Sequence, residues 1–400
     1  MNDNHFDGAQ LADLQTLHHT ELTQLRKDHP EWLLGPDTEE WFALSWNMAV
    51  PEVRENRLQH LREICQNYTW DGVELDWQRH PFHFPDDQAY RLRYVLTDFM
   101  RAARELTREI SQQRGTPFYL AARVAGSIEG CQRIGYDVET WIKEDLIDVL
   151  IPAGAAGTDP AIEVNAFRSL IADRTIALYP GFDGGVPGPA TGPEDEATRH
   201  NMRTKATALQ YHQQGATGIY AFNWHADRDS KRELLSQVGK RETLQKQNKL
   251  YSITHRFRQE TGSWRGAYKH DRLRGALPVA LYPTFKITGP HFTLDLADDL
   301  QEFPPKDLTL RFRLQDWVDG DQVRFLLNDE SLIDPTINYC HNGDPNPISD
   351  VSNAAWHNFN IDPVKTPPGS HRIEVILLNR HPQLACDLVL TDIELVVNYC

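Results

Sequence analysis

Between residues 70 and 224 the sequence alternates between short apolar strands and amphipathic helices, with only short connections between them. Five strong strands follow this pattern, and one weaker candidate at residues 41–46 precedes them. Strict alternation of this kind is typical of parallel βα units, in which each helix returns the chain to the same end of the sheet. The sequence therefore predicts a (β/α)8 TIM barrel that lacks its first strands.

One of these strands carries two acidic side chains on the same face. Successive side chains of a strand point to opposite faces, so Glu74 and Asp76 lie together, opposite Val73, Leu75 and Trp77. A buried unpaired charge is costly, which means that the acidic face must border a polar cavity. Acids at the carboxyl end of a strand are typical of the active-site rim of a TIM barrel. The other interpretation is structural, with one acid in an ion pair and one capping a loop.

The pattern changes after a charged helix at residues 228–250. From residue 251 onward, short alternating segments such as Phe292-Thr293-Leu294-Asp295-Leu296 are separated by Gly, Pro, Asn and Asp. Strands with a period of two at this density predict an antiparallel β-sandwich. We therefore expect a barrel domain over residues 1–245 and a β-sandwich accessory domain over residues 251–400.

The charge and the composition of the chain limit its partners. A formal net charge of −16 would repel the phosphates of a nucleic acid, whereas neutral substrates are compatible with it. The sequence contains no apolar run of about 18 residues or more, so we expect no membrane-spanning helix. Its five cysteines do not have the spacing of a zinc site, and we expect neither a metal nor a cofactor.

The first residues, Met1-Asn2-Asp3-Asn4-His5, have neither the basic nor the apolar part of a secretory signal. They look like a polar active-site loop, although no strand precedes them. Because a closed barrel needs eight strands, we expect that residues upstream of Met1 are missing or that another chain covers the gap, as in a homo-oligomer. A truncated start leaves the location open, and a lost signal would place the protein in the periplasm or outside the cell.

Six segments of the first part of the chain occur together in one group of barrel proteins. They are residues 1–5, 29–33, 51–54, 71–76, 148–152 and 218–223. This combination resembles the bacterial glycosyl-hydrolase-like family-10 barrel proteins, and it covers the chain from Met1 to about residue 245. The resemblance implies a TIM barrel that acts on glycans and is followed by a β-sandwich. It implies no defined substrate.

A second similarity concerns the acidic strand alone. Asp71, Glu74, Asp76 and Gln78 have the spacing of the Asp-x-x-Asp-x-Asp-x-Glu strand of the family-18 chitinases. Gln78 stands where that family has its acid, and Glu74 replaces an Asp. An amide cannot donate a proton to a leaving group, so we do not expect a chitinase mechanism centred on residue 78.

Cleavage of a glycosidic bond generally needs two carboxyl groups. Counting back from Asn223 as the end of the eighth strand puts Glu74 and Asp76 on the fourth strand and Asp183 just after the seventh. Many barrel glycosidases carry their acids on these two strands. We predict that Asp76 is catalytic, that Asp183 is its partner across the cavity, and that Glu74 supports them in an ion pair with Arg123. Asp183 lies in a Gly-rich segment that also suits a plain turn.

A further set of residues is predicted to contact sugar from the rim. These residues are Asn2, Asp3, His5, Arg79, His80, Arg123, Asn223 and Trp224. The first three would bind hydroxyl groups, unless they belong to a frayed terminus. We predict a hydroxyl contact at Asn223 and a stacking platform at Trp224. Trp317 and Trp356, by contrast, are expected to lie in a core.

These features together predict a glycoside hydrolase that acts on a poly- or oligosaccharide. A non-catalytic glycan-binding barrel protein is the main alternative, and the amide at residue 78 favours it. A polysaccharide lyase or esterase is a third possibility. Release of reducing ends from a glycan panel, measured beside binding without turnover, separates these functions.

Overall fold

The computed structural model describes residues 14–16, 23–36, 38, 42–79, 81–153, 160–183, 193–224, 229–253, 276–283, 287–340 and 354–399. These residues form two compact units. The first takes its described residues from Met1–Gly184 and Gln214–Asn223. The second takes them from Gly185–Gln213, Trp224–Phe257 and Leu273–Cys400. Along the described residues, the chain thus leaves the first unit and returns to it once before it ends in the second.

Helices and a parallel sheet make up the first unit. Its helices are α1 (Gln24–Asp28), α2 (Pro51–Asn67), α3 (Ala89–Arg114), α4 (Ile128–Arg133), α5 (Val138–Lys143) and α6 (Val164–Ile171), besides a 3-10 turn at Pro30–Trp32. Its strands are β1 (Gly72–Asp76), β2 (Tyr119–Ala125), β3 (Val149–Ala153), β4 (Ala177–Leu178), β5 (Gly181–Asp183) and β6 (Tyr220–Phe222). Strands β1 to β4 form one parallel sheet in chain order, and β5 pairs with β6 in parallel.

The longest helix, α3, forms where the apolar spacing of the sequence predicts it. Phe99, Ala103, Leu106 and Ile110 recur every three or four residues and are all buried. The helix ends at Gly115, whose φ of +68° is the left-handed conformation that favours glycine after a helix. Phe99 contacts Trp77 edge to face, with ring centroids 5.6 Å apart, and thereby connects the helix to the end of β1.

The predicted barrel is not closed within the described residues. The described strands of the first unit form a four-stranded sheet and a separate two-stranded sheet, without a ladder between the two. Residues 42–46, predicted as a strand, form turns whose side chains are all buried, and only a single bridge joins Trp46 to Leu33. Side-chain packing contributes to the conformation of this segment, since the ring of Phe42 stacks on that of Phe82 with 3.9 Å between the ring centroids. Barrel closure and a homo-oligomer that completes it stay predictions.

Antiparallel strands dominate the second unit. Its helices are α7 (Glu196–Gln213), α8 (Asp229–Val238) and α9 (Arg241–Leu244). Its strands are β7 (Lys249–Ser252), β8 (Val279–Leu281), β9 (His291–Leu296), β10 (Asp307–Gln315), β11 (Gln322–Leu327), β12 (Glu330–Ser331), β13 (Thr336–Tyr339), β14 (Ala355–Asn360), β15 (Gly369–Asn379) and β16 (Leu388–Asn398). One sheet has the order β13-β14-β10-β16-β7, with β8 also on β16, and the other has the order β12-β11-β15-β9.

Aromatic side chains connect the two sheets of the second unit. Phe312 of β10 lies 4.6 Å from Phe325 of β11, measured between ring centroids. Trp317 and Trp356 are buried in this unit, as the sequence predicts. The contact agrees with a β-sandwich, which stays a prediction together with the domain limits at residues 245 and 251. No helix in the described part of the chain has the length and hydropathy needed to cross a membrane.

A buried cluster of ion pairs holds α7 within the second unit. Glu394 of β16 accepts hydrogen bonds from Arg199 at 2.7 Å, from Arg203, and from Nε of Arg311 at 2.8 Å. Arg311 also donates to both carboxylate oxygens of Glu194, each at 2.8 Å. Two parallel hydrogen bonds of this kind are the strongest arrangement of guanidinium and carboxylate. The cluster fixes α7 against β10 and β16 by charge as well as by packing.

The stability of the second unit should fall in mild acid because of His357. Burial lowers the pKa of this imidazole to about 4, and its ring packs between Trp317 and Phe325. An unfolded histidine titrates near 6.5, so the unfolded chain binds the extra proton as the pH falls from 6.5 to 4. We expect His357 alone to account for a drop of roughly 3 kcal/mol in the free energy of unfolding over this range. Urea unfolding at pH 7 and pH 4 measures the drop. It should shrink in His357→Phe, and an equal drop in that variant would contradict the assignment.

Candidate functional site

The register of β1 and β2 decides which acid meets Arg123. The two strands are parallel, with Asp76 opposite Arg123 and Glu74 opposite Ala121. Nη1 of Arg123 lies 3.0 Å from Oδ1 and 3.1 Å from Oδ2 of Asp76. The exposed fraction is 0% for the side chain of Arg123 and 4% for that of Asp76. Arg123 thus forms an ion pair with Asp76, in the layer nearer the rim, and its charge also acts on Glu74. Sequence alternation gives the face of a strand but not its register, so it could not show the pair with Asp76. The ion pair between Glu74 and Arg123 stays a prediction.

Asp76 also fixes the loop that follows β1. Its Oδ1 accepts hydrogen bonds from the backbone N–H groups of Gln78 at 3.1 Å and Arg79 at 3.0 Å. The carbonyl of Trp77, between them, accepts from the Tyr136 hydroxyl at 2.5 Å and from Nε2 of His83 at 3.1 Å. Both structural roles considered for the acidic pair, an ion pair and a loop cap, are therefore combined in Asp76.

Glu74 has a different environment from Asp76. The Tyr220 hydroxyl, on β6, donates a hydrogen bond of 3.0 Å to Oε1 of Glu74. Burial raises the pKa of the Glu74 carboxyl, and the charge of Asp76 adds to this effect, while Tyr220 and Arg123 oppose it. Burial also raises the pKa of Tyr220, and the Glu74 charge raises it further, so this hydroxyl keeps its proton. Burial of the Glu74 carboxyl thus favours its protonated form.

Phe222 and two guanidinium groups border the same place. The guanidinium carbon of Arg123 lies 4.0 Å from the Phe222 ring centroid, and that of Arg79 lies 5.3 Å away. Cations attract the face of an aromatic ring, which positions both arginines. In the backbone register of β5 and β6, Asp183 is the partner of Phe222. The structure thus gathers Glu74, Arg79 and Arg123 around β6.

The remaining predicted site residues are not gathered there. Asn223 is exposed, and its φ is +48°. It is the last residue of Gln214–Asn223, the segment in which the chain returns to the first unit. Trp224 belongs to the second unit, where Nζ of Lys231 lies 4.3 Å from its ring and occupies one of its faces. Asn2, Asp3, His5 and His80 lie outside the described residues. In the part of the chain that is described, no group of three or more His, Cys, Asp and Glu side chains is arranged to hold a metal ion.

Two side chains of the site, Tyr220 and Phe222, were missed by the sequence-based prediction. Both point to one face of β6, because they are two residues apart. The prediction at this strand instead chose Asn223 and Trp224, the polar residue and the large aromatic residue that follow it. The alternation of residues 220–222 is the only local signal for the two missed residues, and it does not identify the face that meets Glu74.

Removing the Tyr220 hydroxyl should raise the pKa of Glu74 further. Tyr220→Phe keeps the ring but deletes the donor that favours the ionised carboxylate. We expect the titration of the labelled Glu74 carboxyl, followed by carbon NMR, to move to higher pH. The exposed Tyr94 provides a matched control, since Tyr94→Phe should leave that titration unchanged. A titration that moves to lower pH in Tyr220→Phe would show that the hydroxyl does not stabilise the ionised form.

No protein-family model matches the chain, and no curated protein is similar to it. Several solved structures are weakly similar. The chitinase ChiW from Paenibacillus sp. str. FPU-7 has 12% identity and a TM-score of 0.35, over 86% of this chain and 33% of that one. The chain thus spans about a third of the length of ChiW.

Two other weakly similar structures match more of their own length. A GH18 chitinase from Chromobacterium violaceum has 10% identity and a TM-score of 0.30, over 92% of this chain and 79% of that one. A two-domain esterase active on acetylated mannans has 8% identity and a TM-score of 0.20, over 87% of this chain and 95% of that one. At such scores these likenesses assign neither a fold family nor an activity to the chain.

Proposed function

We propose that the chain is a carbohydrate-active hydrolase in which Glu74 donates the proton to the leaving group. The observation that carries this proposal is the half-buried Glu74 carboxyl, held by the Tyr220 hydroxyl beside the buried Asp76–Arg123 ion pair. A general acid must still hold its proton near the working pH, and the raised pKa of Glu74 is a change in this direction. The resemblance of the first 245 residues to glycosyl-hydrolase-like barrel proteins supports a glycan as the substrate.

In this mechanism the proton of Glu74 passes to the glycosidic oxygen as the bond to the sugar carbon breaks. A second carboxylate either attacks that carbon or takes a proton from the water that does so. Asp183 stays the predicted second group, and its backbone position beside Phe222 supports this. For Asp76 we propose a positioning role. Its carboxylate accepts hydrogen bonds from Arg123 and from two backbone N–H groups of the rim loop, and it thereby holds both in place.

The non-catalytic alternative also has an observation in its favour. Gln78 occupies the position that the family-18 pattern gives to its acid, and its side chain is buried. Asp76 is already occupied by structural contacts, and residue 78 is an amide that cannot donate a proton. Both features are compatible with a barrel that binds glycans without cleaving them. The two functions differ in turnover rather than in binding, so a turnover assay distinguishes them.

The test is to incubate the purified chain with chitin oligosaccharides, acetylated mannan and cellulose. New reducing ends and released acetate are measured separately for the wild-type chain and for Glu74→Gln. We expect new reducing ends from at least one glycan, with the variant close to background. Acetate without new reducing ends would identify an esterase, and no product above the variant on any glycan would overturn the proposal.

A further inference from the structure

Three large aromatic side chains are exposed where β1 and β2 begin. The exposed fraction is 52% for Tyr68, 57% for Trp70 and 51% for Tyr119. Rings of this size usually lie in the core, as Trp77 and Trp141 of the same unit do. A group of exposed rings in one place therefore marks a binding surface more often than a single exposed ring does.

The rings of Tyr68 and Trp70 are neighbours, the backbone of Tyr119 lies beside the same segment, and together we call these three residues the aromatic platform. The ring centroids of Tyr68 and Trp70 are 6.1 Å apart, with 31° between the ring planes. Tyr119 is the register partner of Gly72, and its backbone N–H donates to the carbonyl of Asp71 at 2.9 Å. A Cβ on Gly72 would lie only 2.4 Å from the Tyr119 carbonyl oxygen, so glycine permits this close approach.

Arg114 holds the backbone of the platform in place. Its guanidinium donates to the carbonyls of Trp70 at 2.9 Å, Cys65 at 2.6 Å and Tyr68 at 2.7 Å. These carbonyls lie in the last turn of α2 and just beyond its end, where orphan acceptors need a partner. One cation thus fixes the segment that carries two of the three rings. A surface fixed before binding loses less conformational entropy when a ligand arrives.

The groups around the platform indicate the chemistry of its ligand. The exposed side chains that flank the rings along the chain are mostly uncharged amides and hydroxyls, namely Gln66, Asn67, Thr69, Gln113 and Thr116. Asp71 is the one acid within residues 66–71, in a chain whose net charge is −16. Anionic lipids and nucleic acids require basic surfaces, whereas the one basic side chain within residues 66–71 and 113–119, Arg114, is engaged by backbone carbonyls. Flat rings flanked by amides and hydroxyls instead suit sugars, whose ring faces stack and whose hydroxyls form hydrogen bonds.

We infer that the aromatic platform is a surface site that binds a neutral polysaccharide chain. The rings of Tyr68 and Trp70 precede the amino end of β1, whereas Glu74 is the middle residue and Asp76 the last residue of this strand, about 7 and 13 Å beyond Gly72 along the backbone. A glycan on the platform would therefore leave the Glu74 site open. The choice of a glycan as the ligand rests on the proposed function, while the presence of a binding surface rests on the exposed rings.

The test measures how much protein is removed from solution by insoluble cellulose, chitin and mannan, each in a separate tube. We expect the wild-type chain to bind at least one of them, and Trp70→Ala and Tyr68→Ala to bind it roughly tenfold more weakly or worse. Tyr94→Ala is the matched control, because Tyr94 is 59% exposed on another surface, on α3. All three variants should melt as the wild type does, since each replaces an exposed side chain.

Glu74→Gln separates this inference from the proposed function. It should bind the insoluble glycan like the wild type but release no product, and Trp70→Ala should cleave short soluble oligosaccharides at the wild-type rate. Binding that needs Trp70, without any turnover, would support the platform and defeat the proposed activity. No binding of the wild type, or wild-type binding by Trp70→Ala, would overturn the platform. A wild-type dimer that Trp70→Ala converts to a monomer would also overturn it, because the rings would then contact a second copy.

Discussion

Glu74→Gln should lower kcat on a cleaved glycan by a factor of about 10² to 10⁴, the usual loss when a general acid is removed. The amide has nearly the same shape, and its oxygen can still accept the hydrogen bond from the Tyr220 hydroxyl. The variant should therefore fold normally and melt close to the wild type. Steady-state rates beside melting curves measure both properties.

The leaving group provides a control that a purely structural role of Glu74 would not affect. A substrate with a good leaving group, such as a nitrophenyl glycoside, needs little proton donation, so the loss of rate in Glu74→Gln should be much smaller for it. The activity of the wild type should also fall at high pH as Glu74 loses its proton, and this alkaline limb should disappear in the variant. Equal losses on both substrates would exclude Glu74 as the proton donor.

Asp76→Asn should lower the free energy of unfolding by about 3 to 5 kcal/mol, because it removes the charge of one member of a buried ion pair. Arg123 is fully buried and loses its carboxylate, and two backbone N–H groups of the rim loop lose a charged acceptor. Asp98→Asn is the matched control. Asp98 pairs with Arg101 on the exposed face of α3, where such pairs contribute at most about 1 kcal/mol.

Urea unfolding of the three proteins under the same conditions measures these differences. If Asp76→Asn is as stable as Asp98→Asn, the buried ion pair does not stabilise the first unit. If it is stable and also inactive on every glycan that the wild type cleaves, Asp76 takes part in the chemistry directly, as the sequence predicts. A destabilised variant thus supports the positioning role, and a stable but inactive variant supports the catalytic one.

The elements with strong local patterns could be predicted from the sequence. Helix α3 follows from the spacing of its apolar residues, and the common face of Glu74 and Asp76 follows from alternation in β1. The short strand β5 forms where the sequence predicts a loop, because the three glycines of residues 181–185 give no strand signal and the strand is defined by its pairing with β6. Segments of three residues take their structure from partners that are distant in the sequence.

The side-chain contacts within the candidate site also join residues that are distant in the sequence. Tyr220 is 146 residues from Glu74 in the sequence, and no local pattern connects the two. The pairing of Arg123 with Asp76 depends on a register that a shift of one residue would change. The sequence therefore predicts which residue types line the rim, while the division of roles between the two acids requires the fold.

The path of the chain between the units limits how such a protein can arise. Helix α7 belongs to the second unit through Glu394, yet β5 before it and β6 after it belong to the first. No single cut in the chain separates one complete unit from the other. End-to-end gene fusion, the simplest way to add an accessory module, would not by itself give this path of the chain.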